Sequence, residues 1–209
     1  MADITLLRKV LSECRVVAMV GLSDKPHRPS YFVGKYLQEH GFQRFMIVNG
    51  HGGNKHFINY FLEMLRDKPK NYTVTNIFPA AIKHSEQDNF LDAEIDGHGG
   101  EVETSMMAHF YPELVKSMQP ASYGLPLKRL EKYSQRGIDC ALQWYSNFPG
   151  HLCADSTLAT TEKGKQLANL RISHLVDVIK FLKNDDTLEA LQKKFLQQIM
   201  KPTIKNTEI

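Results

Sequence analysis

The sequence predicts an α/β fold, a three-layer α/β/α arrangement with a mainly parallel, Rossmann-like sheet. Two apolar runs, at 15–20 and 45–48, carry this prediction, because a glycine-containing polar loop and a helical pattern follow each of them. A near-continuous apolar run is typical of a strand that helices cover on both faces. Strands that alternate with helices in this way form parallel sheets.

The elements of the first half follow from their spacing. Residues 4–13 have apolar side chains at helical spacing and predict an amphipathic helix. The strand at 15–20 leads into a polar, turn-rich loop, and a helix is predicted at 31–40. Gly41 should end that helix, because glycine is common just past a helix end. The strand at 45–48 completes a β-α-β unit.

The second half continues the alternation. The predicted elements are a helix, a third strand, two short helices and two long helices, at 55–65, 72–78, 106–110, 112–118, 161–182 and 188–200. The inward face of the first of these helices is predicted to consist of Phe57, Ile58, Phe61, Leu62 and Leu65. We expect one α/β domain over 1–209, because this length suits a single domain with a substantial core.

Composition excludes several classes of function. The net charge of +3 is small and its lysines and arginines are scattered among acids, so we expect no nucleic-acid partner. No apolar run reaches the roughly 20 residues that a membrane span needs, and the first residues lack a signal peptide's pattern. The three cysteines form no CxxC pair and read as reduced thiols. We therefore expect a cytoplasmic protein with a small-molecule ligand and no membrane partner.

Two Gly-His-Gly-Gly loops stand out. His51 follows the apolar run at 45–48 directly, at the strand end where open α/β sheets bind ligands, and His98 lies in a second loop. Glu101 and Glu103 follow that second histidine. Histidine and glutamate are preferred ligands of zinc, manganese and iron. The alternative is a pair of tight turns whose histidines only hydrogen-bond to backbone.

The segments NGHGGN at 49–54, DGHGGEVETS at 96–105 and LATTEKG at 158–164 resemble the creatininase (creatinine amidohydrolase) family. The resemblance extends over about 36–182. It implies a metal-dependent hydrolase, usually with two divalent ions, that opens C–N bonds in cyclic or linear amides. It also implies an α/β/α scaffold that often assembles into higher homo-oligomers.

This resemblance also implies roles for particular residues. His51 would be a metal ligand and Glu103 the matching acidic ligand. His98 would either contact a metal ligand without binding the metal itself or transfer the proton. Glu101 is the substitute if Glu103 points away, and it is a candidate catalytic residue together with His98. Trp144 would cover the substrate, although a half-buried tryptophan that only packs is the alternative.

The amino-terminal part has a second resemblance. The segment GLSDKPHRPSY at 21–31 resembles the Rossmann-like CoA-binding-domain family, and this likeness covers about 6–48. Gly21 and Ser23 would offer backbone N–H groups near a helix start, and Lys25 and Arg28 would add positive charge for a phosphate of CoA. The alternative is an ordinary surface loop with no ligand.

The two resemblances together predict a chimera, natural or engineered, in which a CoA-binding-type segment at 1–42 joins a creatininase-like portion at 43–209. The Glu-x-His motif and following Asp that supply much of the family's metal shell are not found. Asp24 and His27 lie roughly where those residues would project and are candidate replacements. Three hypotheses follow, namely an amidohydrolase with impaired activity, a CoA- or nucleotide-binding module, and a scaffold without catalysis.

Overall fold

The computed structural model describes residues 5, 9, 13, 16–20, 35–37, 39–67, 69–81, 85–94, 96–118 and 124–200. The chain divides into two compact units, a first unit of 1–82 with 175–209 and a second unit of 83–174. Within the helix predicted at 4–13, residues 5, 9 and 13 are helical. The loop predicted at 21–30 lies outside the described residues, as does the beginning of the helix predicted at 31–40.

The first unit contains a parallel three-stranded sheet. Its strands are β1 (Val16–Val20), β2 (Arg44–Val48) and β3 (Thr73–Ile77), in the order β1-β2-β3. Val16 pairs with Arg44, which pairs with Thr73 on its other side, so the three strands start level. All three predicted strands are therefore confirmed, within one residue of their predicted ends.

The core of the first unit forms on the central strand. Phe45, Met46 and Ile47 are all buried, which explains the unbroken apolar run. Phe45 forms a cluster with Leu37 and Phe42, which flank Gly41 in the chain. The φ angle of Gly41 is +84°, a backbone conformation that favours glycine at a helix end.

The helix that follows β2 in the chain packs against β3. The first unit has α1 (Lys55–Met64), and a short 3-10 turn, Leu65–Asp67, continues it. The prediction that Phe57 faces inward is wrong, because its side chain is 48% exposed, whereas Ile58 is buried. Phe57 lies at the edge of the stripe, because the positions 58, 61, 62 and 65 alone follow the i, i+3, i+4, i+7 spacing of one helix face.

Over the described residues, the regular secondary structure of the second unit is helical. Its helices are α2 (Glu101–Phe110), α3 (Glu131–Ser134), α4 (Gln143–Asn147) and the first part of α5 (Thr161–Asn184), whose remainder belongs to the first unit with α6 (Thr187–Met200). Four further 3-10 turns occur in the described part of the chain. Gly52–Asn54 and Pro79–Ala81 belong to the first unit, and Ser85–Asn89 and Pro112–Leu114 belong to the second.

Three predictions for the second half need correction. The helix predicted at 106–110 begins at Glu101, because acidic side chains favour the positive end of a helix and here extend its first turn. The helix predicted at 112–118 is one 3-10 turn, Pro112–Leu114. The region around Trp144, for which no element was predicted, contains α3 and α4. The α/β class is confirmed, and no helix among the described residues has the length and hydropathy to span a membrane.

Candidate functional site

The first His-Gly loop begins where β2 ends. Asn49 is buried, and its backbone N–H donates to the Ile77 carbonyl at 2.8 Å, so the loop starts within the sheet. The side-chain oxygen of Asn49 accepts from the His51 backbone N–H at 3.1 Å and from Asn54 Nδ2 at 3.2 Å. Asn49 therefore holds both ends of the loop. His51 emerges exposed beyond it, at the carboxyl edge of the sheet.

One ring nitrogen of His51 is already engaged. Nδ1 accepts a hydrogen bond from the Gly53 backbone N–H at 3.1 Å. A neutral imidazole has one acceptor nitrogen and one N–H, so an accepting Nδ1 leaves the hydrogen on Nε2. In this arrangement Nε2 is a donor, and His51 would have to give up the Gly53 contact before Nε2 could bind a metal.

The second His-Gly loop brings an imidazole and a carboxylate together. Glu103 Oε2 accepts from the Gly99 backbone N–H at 2.8 Å, and His98 Nδ1 lies 3.4 Å from the same oxygen. Both side chains are about half exposed, at 45% for His98 and 54% for Glu103. Thr104 Oγ1 donates to the Gly99 carbonyl at 2.9 Å and fixes the loop to α2. The result is a solvent-accessible His–Glu pair on an anchored loop.

An aromatic side chain stands beside this pair. The Trp144 ring meets the His98 ring edge to face, with centroids 5.7 Å apart and an angle of 89°. Trp144 Nε1 donates to His151 Nδ1 at 3.3 Å. His151 has a φ of +62°, an uncommon backbone conformation for a non-glycine residue and one that is often found at functional sites. Trp144 thus touches one histidine and is oriented by another.

Glu101 has a different environment from Glu103. It is 1% exposed and accepts from the backbone N–H groups of Asp92 and Ala93, at 3.0 Å and 2.8 Å for its Oε2. Lys163 donates to its other oxygen and, at 2.7 Å, to Asp92. The catalytic role predicted for Glu101 would require this network to open, and it stays a prediction.

Two further charged groups lie near the His–Glu pair. Burial raises the pKa of Asp96, with Glu101 and Glu103 adding to the shift, while hydrogen bonds from backbone N–H groups oppose it. Burial lowers the pKa of Arg171, although attraction by Glu103 and Asp96 opposes this. The Nε of Arg171 is buried without a hydrogen-bond partner among the described residues. Arg171 therefore balances part of the negative charge of this loop.

The third segment behind the family resemblance, LATTEKG, supports the second His-Gly loop. Thr160 N–H donates to the Ser105 hydroxyl at 3.1 Å, and Ser105 is fully buried. A Cβ added to Gly164 would lie 1.9 Å from the Ser105 carbonyl oxygen, so only glycine allows α5 to approach α2 this closely. This contact packs the TEKG segment against the ETS segment.

The described residues do not assemble a metal site. No group of three or more His, Cys, Asp or Glu side chains that could hold a metal ion occurs among them. A catalytic zinc takes three protein ligands. His51 and Glu103 offer two such ligands between them, so the described residues do not fit the implied metal. Asp24 and His27, the candidate replacements, lie outside the described residues, as do Gly21, Ser23, Lys25 and Arg28.

The sequence predicts part of this arrangement. His98, Glu103 and Trp144 were candidate residues, and the structure brings them together in the second unit. His151 and Arg171 were not predicted. The one available signal for His151 was its place in a Pro-Gly-His turn just after an aromatic segment. Arg171 had no signal, because it occupies one polar position among many on a long helix.

The structure is an α/β protein with a parallel sheet and two loops that present histidine, one of them paired with a carboxylate. The chain belongs to the creatininase family, whose model, described as creatinine amidohydrolase, matches residues 31–179. This range agrees with the 36–182 expected from the motifs. It also includes 31–42, which the chimera hypothesis assigned to the CoA-binding-type segment.

Individual relatives agree with this assignment. A creatinine amidohydrolase of Pseudomonas putida is 28% identical over 156 residues, which are 69% of this chain and 57% of that enzyme. A crystal structure of a proposed creatinine amidohydrolase of Bacteroides fragilis has a TM-score of 0.57 at 21% identity, covering 75% of this chain and 60% of that one. A mutant creatininase complexed with creatine has a TM-score of 0.55 at 22% identity, covering 74% and 62%. The two structures show the fold, and this chain spans about three fifths of its relatives' length.

Proposed function

We propose that this chain is a creatininase-family amidohydrolase scaffold that binds a small amide beside His98, Glu103 and Trp144. Family membership supports the class of reaction, hydrolysis of a C–N bond. The observation that carries the location is the exposed His–Glu pair with an indole ring 5.7 Å from the imidazole. A planar amide can stack on an indole face while its polar atoms meet the imidazole and carboxylate.

The proposed roles follow from the contacts. Amide hydrolysis requires a proton to be taken from water and given to the leaving nitrogen, and histidine is the side chain that most often does this. Glu103 would orient the His98 ring through Nδ1, as a carboxylate does for a catalytic histidine. His151 would orient Trp144 through the hydrogen bond to its Nε1. Arg171 would keep the loop's negative charge balanced.

Turnover is proposed to be impaired. The family resemblance implies a divalent metal, zinc, manganese or iron, held by His51 and Glu103 with Asp24 and His27 in place of the missing motif. Among the described residues, His51 Nδ1 and one Glu103 oxygen already accept hydrogen bonds from backbone N–H groups. A site without its full set of ligands would activate water poorly. Residual activity would then depend on the His–Glu pair alone.

The proposal is tested by measuring conversion of creatinine and water to creatine, since a relative is a creatinine amidohydrolase. The assay is run with and without added Zn²⁺ or Mn²⁺. We expect slow hydrolysis, reduced about 100-fold or more in His98→Ala, as loss of a general acid–base predicts. His56→Ala, an exposed histidine on α1, is the matched control and should keep the wild-type rate. Equal rates for wild type and His98→Ala would contradict the proposal.

The remaining hypotheses stay predictions. Binding of CoA by Gly21, Ser23, Lys25 and Arg28 would show as a saturable calorimetric signal that Arg28→Ala weakens. No contact among the described residues favours it. The chimeric origin of the first 42 residues, a cytoplasmic location and a homo-oligomeric state are likewise proposals. If the folded protein neither hydrolyses creatinine nor binds CoA, the hypothesis of a scaffold without catalysis remains.

A further inference from the structure

The first unit contains a cavity that neither His-Gly loop contributes to. It measures about 270 Å³ and lies between the end of α1, the start of β3 and one face of α6. Ligand pockets are typically about 300–1,000 Å³. The cavity lies just below this range and suits only a small ligand, and all its walls belong to the same unit.

The cavity opens at the amino edge of the sheet. Lys70 and Tyr72, which line it, immediately precede β3, and Thr73 at the start of β3 pairs with Arg44 at the start of β2. His51 follows the opposite, carboxyl end of β2. Because the strands are parallel, the cavity and the first His-Gly loop lie at opposite edges of the sheet. A ligand in this cavity would not occupy the edge where His51 emerges.

The walls of the cavity are apolar. Leu188, Leu191 and Phe195 lie at helical spacing on one face of α6 and are 38%, 59% and 39% exposed. Val74 and Tyr72 form the opposite wall and pack behind it against the core cluster around Phe45. Exposed apolar surface is unfavourable by about 25 cal/mol per Å². A hydrocarbon body placed here would remove that surface from water.

The rim of the cavity is positively charged and fixed in place. Lys70 Nζ donates to the Leu65 carbonyl at 2.9 Å, and Gln192 Nε2 donates to the carbonyls of Lys70 and Tyr72 at 3.2 Å and 2.9 Å. These bonds tie the strand entrance to α1 and α6, so the cavity is formed in advance. Arg66 supplies a second cation, and the described lining residues include no Asp or Glu.

We propose that this cavity binds a small organic anion with an apolar body, such as a medium-chain carboxylate. The aliphatic and aromatic walls would take the hydrocarbon part, and Arg66 and Lys70 would take the carboxylate. Arginine and lysine are the side chains that pair with carboxylates, and the apolar walls favour the hydrocarbon without fixing its identity. A cationic amphiphile of the same length would be repelled at the rim.

The test uses octanoate, octanol and octylammonium as probes of equal chain length. We expect calorimetry to show saturable octanoate binding, weaker octanol binding and no octylammonium binding, with NMR shifts at the methyl groups of Leu62 and Leu191. Arg66→Gln should weaken octanoate about three- to fivefold, the size expected for a partly exposed ion pair. Lys194→Gln removes the same charge from α6 outside the cavity and should leave the affinity unchanged.

Several results would overturn the proposal. Octanoate and octanol binding equally well would remove the role of the charged rim. Methyl shifts confined to residues outside the cavity would place the ligand elsewhere. A dimer at working concentrations that dissociates in Leu191→Glu would show that this face is instead an interface between copies of the chain.

Discussion

Removing the charge of Lys163 should destabilise the second unit more than any other single lysine substitution on the described part of α5. Lys163 is 14% exposed and joins Glu101, which is 1% exposed. Breaking a buried ion pair by removing one partner costs about 3–5 kcal/mol, because the other charge stays buried. Glu101 keeps two backbone N–H donors, so we expect the lower end, about 3 kcal/mol, for Lys163→Met.

The assay is urea unfolding followed by the fluorescence of Trp144, the single tryptophan, which lies in the same unit. With an m-value of about 2–3 kcal/mol/M, the midpoint should fall by about 1–1.5 M. Lys165→Met, an exposed neighbour, is the matched control and should change stability by less than about 0.5 kcal/mol. Adding Glu101→Gln to Lys163→Met should recover much of the loss. Equal midpoints for the two single variants would refute the reasoning.

The remaining predictions concern pH and close packing. Burial acts to lower the pKa of Lys163, but hydrogen bonds and attraction from its two carboxylate partners raise it overall. Its stabilisation is thus present below the unfolded pKa of about 10.4 and lost as pH rises through the folded value. The difference in urea midpoint between wild type and Lys163→Met should therefore shrink as the pH rises above the folded pKa. Burial raises the pKa of Asp96, so its charge is unfavourable at neutral pH; Asp96→Asn should raise the urea midpoint slightly, and a clear loss would count against this. Gly164→Ala should lower the melting temperature sharply, because its Cβ would meet the Ser105 carbonyl at 1.9 Å, whereas Gly50→Ala, with nothing within 4 Å, should not.

The regular elements could be predicted from the sequence because each depends on local signals. The buried residues 45–47 read as a strand without knowledge of their partners, and Gly41 marks a helix end through its own backbone. The start of α2 at Glu101 could not be read in the same way. Polar residues there resemble a loop until the helix dipole and the loop before it are considered together.

The site was predictable only where a residue type carries its chemistry. His98 and Glu103 stand five positions apart, so a pair between them follows from one loop and one helix turn. The different environments of Glu101 and Glu103 could not be predicted, because they depend on Lys163, which lies 62 residues after Glu101 in the chain. The orientation of Trp144 by His151 depends likewise on a backbone conformation that the sequence does not specify.

The most direct measurement is a titration of the single tryptophan, Trp144, with creatine, the ligand of a solved mutant creatininase. The ring is 43% exposed and contacts His98, so creatine, the product of creatinine hydrolysis, should change its emission in a saturable way when bound there. We predict such a change in wild type, its loss in His98→Ala, and its retention in the His56→Ala control. Saturable binding of creatine that leaves Trp144 emission unchanged, or a response that survives in His98→Ala, would contradict the proposed site.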